Sequence, residues 1–413
     1  MKNNFFKNLS WSFFGGVGAS AIMMAINIFV GRLLGPTEYG KYSLVISLSQ
    51  IIIIPIVFGL DISAVRAIAT STNEQEKRRN ISAALYFTVV ASLAIGFVVY
   101  MLRFQIAHIM NAPQEVVLIA LAFAIIIALK TIADAVMRGL EMFRYQFIAR
   151  VIEVATICFF FFLFFFGWKM VSFESYVWVL GIGALGPVIL YFNRIRFFFS
   201  RLHAPTLRNQ IAFSSIIVVG TLLGTAFNSL DKLALARYAS LYELGVYGAY
   251  FTASTNLIAQ LTQAFLNVFF PMIAKYKDKR DIILRVNRYS KILFIPIFFA
   301  LSIAIFIIMK LFGTAYELRY LYITLFAFLG TLQIILTINA SIITSVSRAL
   351  FQNYTWYINA IAVCFVGVYM ALIKYNAISI MTVCVLIISF VCVGILLQKF
   401  LLARWLNRSS LNI

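Results

Sequence analysis

Apolar stretches of 18 or more residues recur from one end of this chain to the other, and no other feature limits its fold so strongly. Each is long enough to cross a hydrocarbon layer about 30 Å thick. A soluble core hides one or two such segments, not a dozen. Composition agrees, since charged residues make up 12% of the chain, against about 25% in soluble domains. Inside lipid every backbone polar group must be paired within the protein, and a helix does this within a single segment. The expectation is an all-α, polytopic membrane protein whose surroundings are a phospholipid bilayer.

Apolar runs between charged or turn-rich breaks place spans near 10–33, 41–64, 81–102, 115–138, 147–168 and 174–197, then near 210–236, 244–271, 289–311, 320–343, 352–373 and 377–400. Lys2 and Lys7 ahead of the first span resemble the start of a signal peptide. Its apolar run is too long for one and a second span follows directly, so the helix is expected to be retained. An even number of spans puts both termini on one face. Sorting the lysines and arginines by loop leaves about 25 on that face and about 9 on the other. The first group includes Lys77, Arg78, Arg79, Arg194, Arg196, Arg201 and the run from Lys275 through Lys291. The positive-inside rule then makes both termini cytoplasmic.

That distribution also disposes of nucleic acid as the reason for a formal charge of +20, because the cations sit in alternate loops rather than in one patch. Cys158, Cys364, Cys384 and Cys392 all fall in apolar segments, where thiols act as small hydrophobes. His108 and His203 stand alone, in no spacing that would hold a metal or serve a nucleophile. No cofactor is expected. No expected loop is long enough for a soluble catalytic domain, so any activity must be built from the helices.

The two halves of the chain superpose without a gap. Arg32, Glu38, Gly40 and Tyr42 match Arg237, Glu243, Gly245 and Tyr247 at a constant offset of 205, as do Gly15 and Gly220. Four matches within eleven residues are hard to obtain by chance, although a charged glycine turn could recur merely as a loop device. Six spans per half send both copies into the membrane in the same direction. Lobes 1–203 and 204–413 are then expected to be related by an axis along the membrane normal, with a central cavity between them. That is a transporter plan.

The segments Leu9-Ser-Trp-Ser-Phe-Phe-Gly15, Gly31-Arg-Leu-Leu-Gly-Pro-Thr-Glu-Tyr-Gly-Lys-Tyr-Ser43 and Ala64-Val-Arg66 resemble the polysaccharide-exporter family. Asp231-Lys232, Glu243-Leu-Gly-Val-Tyr247 and Phe270-Pro271 resemble its seventh and eighth helices. This family holds the Wzx-type O-antigen flippases of the multidrug/oligosaccharidyl-lipid/polysaccharide (MOP) exporter superfamily. The resemblance implies a multi-pass protein of the bacterial inner membrane with twelve helices in two lobes. It implies movement of a polyprenyl-pyrophosphate-linked oligosaccharide from the cytoplasmic to the periplasmic leaflet by alternating access. It also implies a place beside the polysaccharide polymerase machinery.

A diphosphate carrying about two negative charges cannot pass bare through lipid, so such a task requires a cationic, water-filled lumen. The candidate cations are Arg32, Arg66, Lys130, Arg138 and Arg348. Lys130, Asp134 and Arg138 recur every four residues and share one helical face, which offers two cations around one carboxylate. The competing readings are snorkelling at span ends for Arg66, Arg138 and Arg348, a loop ion pair with the neighbouring Glu38 for Arg32, and a structural ion pair for Lys130 and Asp134. Asn256, Gln260, Gln263 and Asn267 form an uncharged polar stripe expected to face the lumen, and Gln333, Thr337, Ser341 and Thr344 form another. Hydrogen bonding between helices is the alternative for both. Asp61 and Asp134 are candidates for coupling to a proton or sodium gradient, since a carboxylate beside a cavity can have a raised pKa.

Two other functions stay open. A multidrug or small-molecule exporter of the same superfamily would want acidic and aromatic cavities, against the many cations here. A membrane-embedded polysaccharide polymerase or ligase would want a large catalytic loop, and none is visible.

Overall fold

The computed structural model describes residues 2–259, 262, 279–346, 348–375 and 377–410. All the regular elements among them are helical. In chain order these are α1 (Lys2–Val57), α2 (Leu60–Ala69), α3 (Glu74–Met101), α4 (Arg103–Met110), α5 (Gln114–Gly139), α6 (Phe143–Phe162) and α7 (Phe173–Ile195). There follow α8 (Ala204–Tyr238), α9 (Leu241–Phe251), α10 (Lys279–Phe312), α11 (Tyr320–Val346), α12 (Arg348–Lys374) and α13 (Ile380–Ser410).

Among the described residues, nine helices are long and apolar enough to cross a membrane. The first, Gly18–Val57, runs for 40 residues. At 1.5 Å per residue that is about 60 Å, twice the hydrocarbon thickness. The excess length is resolved at Gly35, whose φ of 72° and ψ of 172° interrupt the helix. Only glycine adopts such a backbone without strain, and Pro36 behind it cannot donate to the preceding turn. The two spans expected at 10–33 and 41–64 therefore meet at a single-residue break rather than a loop. The second is interrupted again at Phe58 and Gly59, both at positive φ, so Asp61 falls in the first turn of a new helix. The span expected at 210–236 lies within α8. The one expected at 244–271 begins as α9, continues through a π-helical turn at Thr252–Asn256, and then passes outside the described residues.

The chain divides into two compact units. One comprises Met1–Ile26 with Thr37–Gly245, and the other Asn27–Pro36 with Val246–Ile413. These units are defined by packing. The lobes 1–203 and 204–413 are a statement about sequence duplication.

In the first unit, α5 lies against α2, α3 and α7, while α6 pairs with α7. Its core interleaves Leu60, Ala64 and Ile68 of α2 with Ile81 and Ala84 of α3, and with Ala128, Ile132 and Val136 of α5. Small residues alternate with branched ones here because lipid supplies no hydrophobic drive between helices, and close van der Waals fit must replace it. Helix α8 joins this unit by packing on α2, α3 and α4. Gly40 makes the tightest approach: a Cβ there would lie 1.9 Å from the Leu241 carbonyl oxygen and 3.1 Å from the Gly245 nitrogen. Gly40 and Gly245 are the glycines that the offset of 205 pairs.

In the second unit, α11 packs on α10, α12 and α13. Phe326 stacks on Tyr250 with ring centroids 5.5 Å apart, and the Tyr316 hydroxyl donates to the Gly31 carbonyl at 2.7 Å.

Candidate functional site

Helix α2 ends at Ala69, and the chain turns into α3 through Thr70–Asn73. The turn is closed from both sides. The Asn73 side chain accepts from the Glu76 amide at 2.7 Å. The Glu76 carboxylate in turn receives the Thr72 amide at 2.9 Å and the Thr72 hydroxyl at 3.0 Å. Asn73 is the N-cap, and together these bonds fasten the first turn of α3. From that helix Asn80, buried, sends its amide back to the Ala67 carbonyl at 3.2 Å and to the Ser71 hydroxyl at 3.0 Å. It thereby satisfies a carbonyl that the end of α2 leaves open.

Helix α8 completes the site. Gln210 Nε2 donates to the Asn80 carbonyl at 3.1 Å and to Asn80 Oδ1 at 3.2 Å. One turn on, the buried hydroxyls of Ser63 and Ser214 lie 2.7 Å apart. Beyond them the Arg66 guanidinium sits over the Phe213 ring, 4.7 Å from its centroid. These groups surround a cavity of about 360 Å³ lined by Arg66, Glu76, Asn80, Asn209, Gln210 and Phe213, with Ser63, Ala67 and Thr70 on the α2 side and Thr206 on the α8 side.

The cavity holds one cation and one carboxylate, Arg66 and Glu76. Glu76 is held by Thr72, and Arg66 forms no ion pair with any described carboxylate. The buried Gln210 Oε1 has no hydrogen-bond donor. Arg66 thus presents a guanidinium in no ion pair, a fork of donors suited to phosphate, in a cavity that Glu76 also lines. The buried Gln210 Oε1 is an unsatisfied acceptor, which is costly.

Other sequence candidates are placed elsewhere. Lys130 does not pair with Asp134. Its ammonium lies 2.5 Å from Glu153 Oε1 on α6, and Arg150 approaches the other oxygen of Glu153 at 3.3 Å. Asp134 instead accepts the Tyr191 hydroxyl of α7 at 2.6 Å. The stripe of Lys130, Asp134 and Arg138 therefore does not offer two cations around one carboxylate. Its first two members are tied into helix contacts, while Arg138 is exposed. Asp61 is half-buried, with no ion-pair partner among the described residues, and does not line the cavity. Arg32 is exposed, its stem against Gly313, and Glu38 pairs with Lys41 at 2.6 Å rather than serving as its loop partner. Arg237 donates to the His108 carbonyl at 2.9 Å.

Of the polar stripe on the eighth span, Asn256 lies in the π-helical turn, 3.5 Å from Thr252 Oγ1. Gln260, Gln263 and Asn267 lie outside the described residues, as does the Arg348 side chain. On α11, Thr337, Ser341 and Thr344 each donate to a carbonyl of their own helix. Among the described residues no cluster of histidine, cysteine and carboxylates is arranged for a metal.

Asn80, Gln210, Ser63, Ser214 and Phe213 were not foreseen. The cross-pairs are 130 and 151 residues apart, so no local spacing announces them.

The sequence model of the family described as polysaccharide biosynthesis protein matches residues 5–277. The chain belongs to that family. No curated protein matches this polysaccharide biosynthesis protein closely enough to be called a relative. Solved structures do resemble it in fold. An inward-facing multidrug resistance MATE family transporter of the MOP superfamily aligns with TM-score 0.70 and 14% identity, covering 92% of this chain and 94% of that one. The lipid II flippase MurJ in an inward closed conformation aligns with TM-score 0.64 and 14% identity, covering 92% and 86%. The MATE transporter VcmN of Vibrio cholerae in its bent form aligns with TM-score 0.55 and 13% identity, covering 96% and 97%. At such identities the likeness is one of fold, and the fold is that of MOP-superfamily transporters.

Proposed function

We propose that this polysaccharide biosynthesis protein is a flippase for a polyprenyl-diphosphate-linked oligosaccharide, such as the repeat unit of an O-antigen or a related surface polysaccharide. It collects the head group at the Arg66 cavity. The observation that carries this reading is the Arg66 guanidinium, in no ion pair, at a cavity of about 360 Å³ lined also by the carboxamides of Asn80, Asn209 and Gln210. Arginine supplies paired donors for a diphosphate oxygen, and Gln210 and Asn209 supply amides for sugar hydroxyls. The volume lies near the lower end of ligand sites. It suits the diphosphate and a first sugar, with the remaining sugars outside it.

The basic ends of α3 and α10 and the excess of cations on the terminal face support a topology with both termini in the cytoplasm. The cavity then opens at the cytoplasmic side of the inner membrane, where the cargo is made. Repeated lobes 1–203 and 204–413 exchanging inward- and outward-open states would carry it across, handing it to polymerase machinery. Asp61 is the carboxylate we assign to coupling with a proton or sodium gradient.

A drug exporter of the same fold is the second reading, favoured by the MATE resemblance. Arg66 sets a like charge against a cationic drug, and the Glu76 carboxylate in the same cavity is engaged by Thr72.

The test is leaflet exchange of an undecaprenyl-pyrophosphate oligosaccharide in vesicles holding the parent chain, Arg66→Lys or Arg66→Ala. A hydrogen bond to a charged group contributes about 1.5–3 kcal/mol, so Arg66→Ala should slow exchange by about ten- to a hundredfold at limiting substrate. Arg66→Lys, which keeps the charge and loses the fork, should fall between. Equal rates in all three overturn the assignment.

A further inference from the structure

Arg66 stands in the last turn of α2, where the open carbonyls of a helix end favour a cation. Its own carbonyl receives the Thr70 amide at 3.0 Å and the Thr70 hydroxyl at 2.9 Å, so the root of the side chain is fixed. A long flexible stem separates that root from the guanidinium. Freezing such a stem on a ligand costs binding energy, unless something in the protein has already frozen it.

The usual brace for an arginine is a carboxylate, and this cavity has one in Glu76. Its oxygen is given to Thr72, and Arg66 pairs with no described carboxylate. What meets the guanidinium is the Phe213 ring, 4.7 Å from Cζ to centroid.

That ring is held on both sides. Phe213 follows Gln210 by three residues on α8, and Gln210 is bonded to Asn80 of α3 at 3.1 and 3.2 Å. It is followed at once by Ser214, whose hydroxyl lies 2.7 Å from that of Ser63 on α2. Ser63 precedes Arg66 by three residues and so shares its side of α2. The two ties set the ring against the arginine. With 37% of its surface exposed, Phe213 is not core filling.

The two kinds of brace leave an arginine fit for different work. A carboxylate takes the fork of N–H donors and cancels the charge, which are the properties that a phosphate needs. A ring cancels no charge, and stacking on the face of a guanidinium leaves the donors at its edge open. A bound phosphate weakens the electrostatic share of that contact, but the stacking of planar groups persists.

We propose that Phe213 is a positioning residue for Arg66, holding the guanidinium charged and open-edged where a diphosphate head group meets it. This rests on the reading of the Arg66 cavity as the cargo site. Phe213 acts through Arg66, so its contribution is to apparent affinity. A ring that merely packed α8 against α2 would instead support melting temperature and maximal rate.

The full chain is placed in vesicles with the undecaprenyl-pyrophosphate oligosaccharide at a series of mole fractions. Each variant then yields a half-saturating amount and a maximal rate of leaflet exchange, and its melting is followed in detergent. Phe213→Leu keeps an apolar side chain and removes the ring. It should raise the half-saturating amount about three- to tenfold, with maximal rate and melting near those of the parent. Phe213→Tyr, which restores a ring, should recover the parental affinity. In an Arg66→Ala background Phe213→Leu should change nothing further, since the group it positions is gone. An unshifted half-saturating amount in Phe213→Leu, no recovery in Phe213→Tyr, or an equal loss with and without Arg66 would each overturn the proposal. Parental exchange in Arg66→Ala alone would fell the cargo-site reading itself, whatever Phe213 does.

Discussion

Gly40→Ala tests the closest approach in the first unit. The new Cβ would lie 1.9 Å from the Leu241 carbonyl oxygen and 2.9 Å from its carbon. An ordinary close C···O contact is about 3.3 Å, so the two backbones must part by roughly 1.4 Å. Both obstacles are main chain, and no rotamer change relieves them. Overpacking costs about 1–3 kcal/mol where side chains can yield; here the upper end is the expectation. Gly367→Ala is the control, since a Cβ there meets nothing within 4 Å, and alanine adds up to about 1 kcal/mol of helix propensity. Thermal melting in detergent, with urea titration as a second measure, should show Gly40→Ala destabilised by about 3 kcal/mol and Gly367→Ala unchanged or more stable. If Gly40→Ala melts with its control, α1 and α9 do not approach in this way.

Lys130→Met should lower stability by about 3 kcal/mol, the lower end for breaking a buried ion pair, because Arg150 still answers Glu153 at 3.3 Å. Adding Glu153→Gln should recover most of that loss, and a double variant no more stable than Lys130→Met would deny the pairing. Cysteines at positions 63 and 214, in a chain lacking its four native ones, should form a disulfide because the serine hydroxyls they replace are 2.7 Å apart. On the flippase reading, oxidation should stop leaflet exchange and reductant restore it; exchange that continues through the crosslink would show that α2 and α8 need not separate.

Much of the fold was legible because hydropathy reports a bulk solvent preference that each span expresses on its own. The limits appear where two segments must be compared. Lys130 was read against Asp134, four residues on along the same helix. Its partner is Glu153, and the reason is the hairpin: α5 ends at Gly139 and α6 starts at Phe143. Residues 130 and 153 lie nearly equal distances from that turn and so at equal depth in the bilayer. Reading depth from the turn, rather than period along one helix, would have found it. Arg66 was identified as a cation at a span end, but its cavity was not, because Gln210 comes from a span 130 residues beyond Asn80 and neither carboxamide carries a local signature. The join at Gly35 was hidden for a different reason. Gly-Pro within a charged segment reads as a loop, and only the length of α1 shows that one residue suffices.

The two carboxamides at the Arg66 cavity hold one another. Gln210 spends its hydrogens on Asn80, and Asn80 spends its own on the tail of α2. On the flippase reading, a sugar bearing several hydroxyls would compete for those same hydrogens and oxygens. Whatever it won would be subtracted from the clasp between α8 and its neighbours, so that recognition and release would become one event. A cargo of the wrong shape would leave the clasp shut, and the helices would have no cause to part on an empty site.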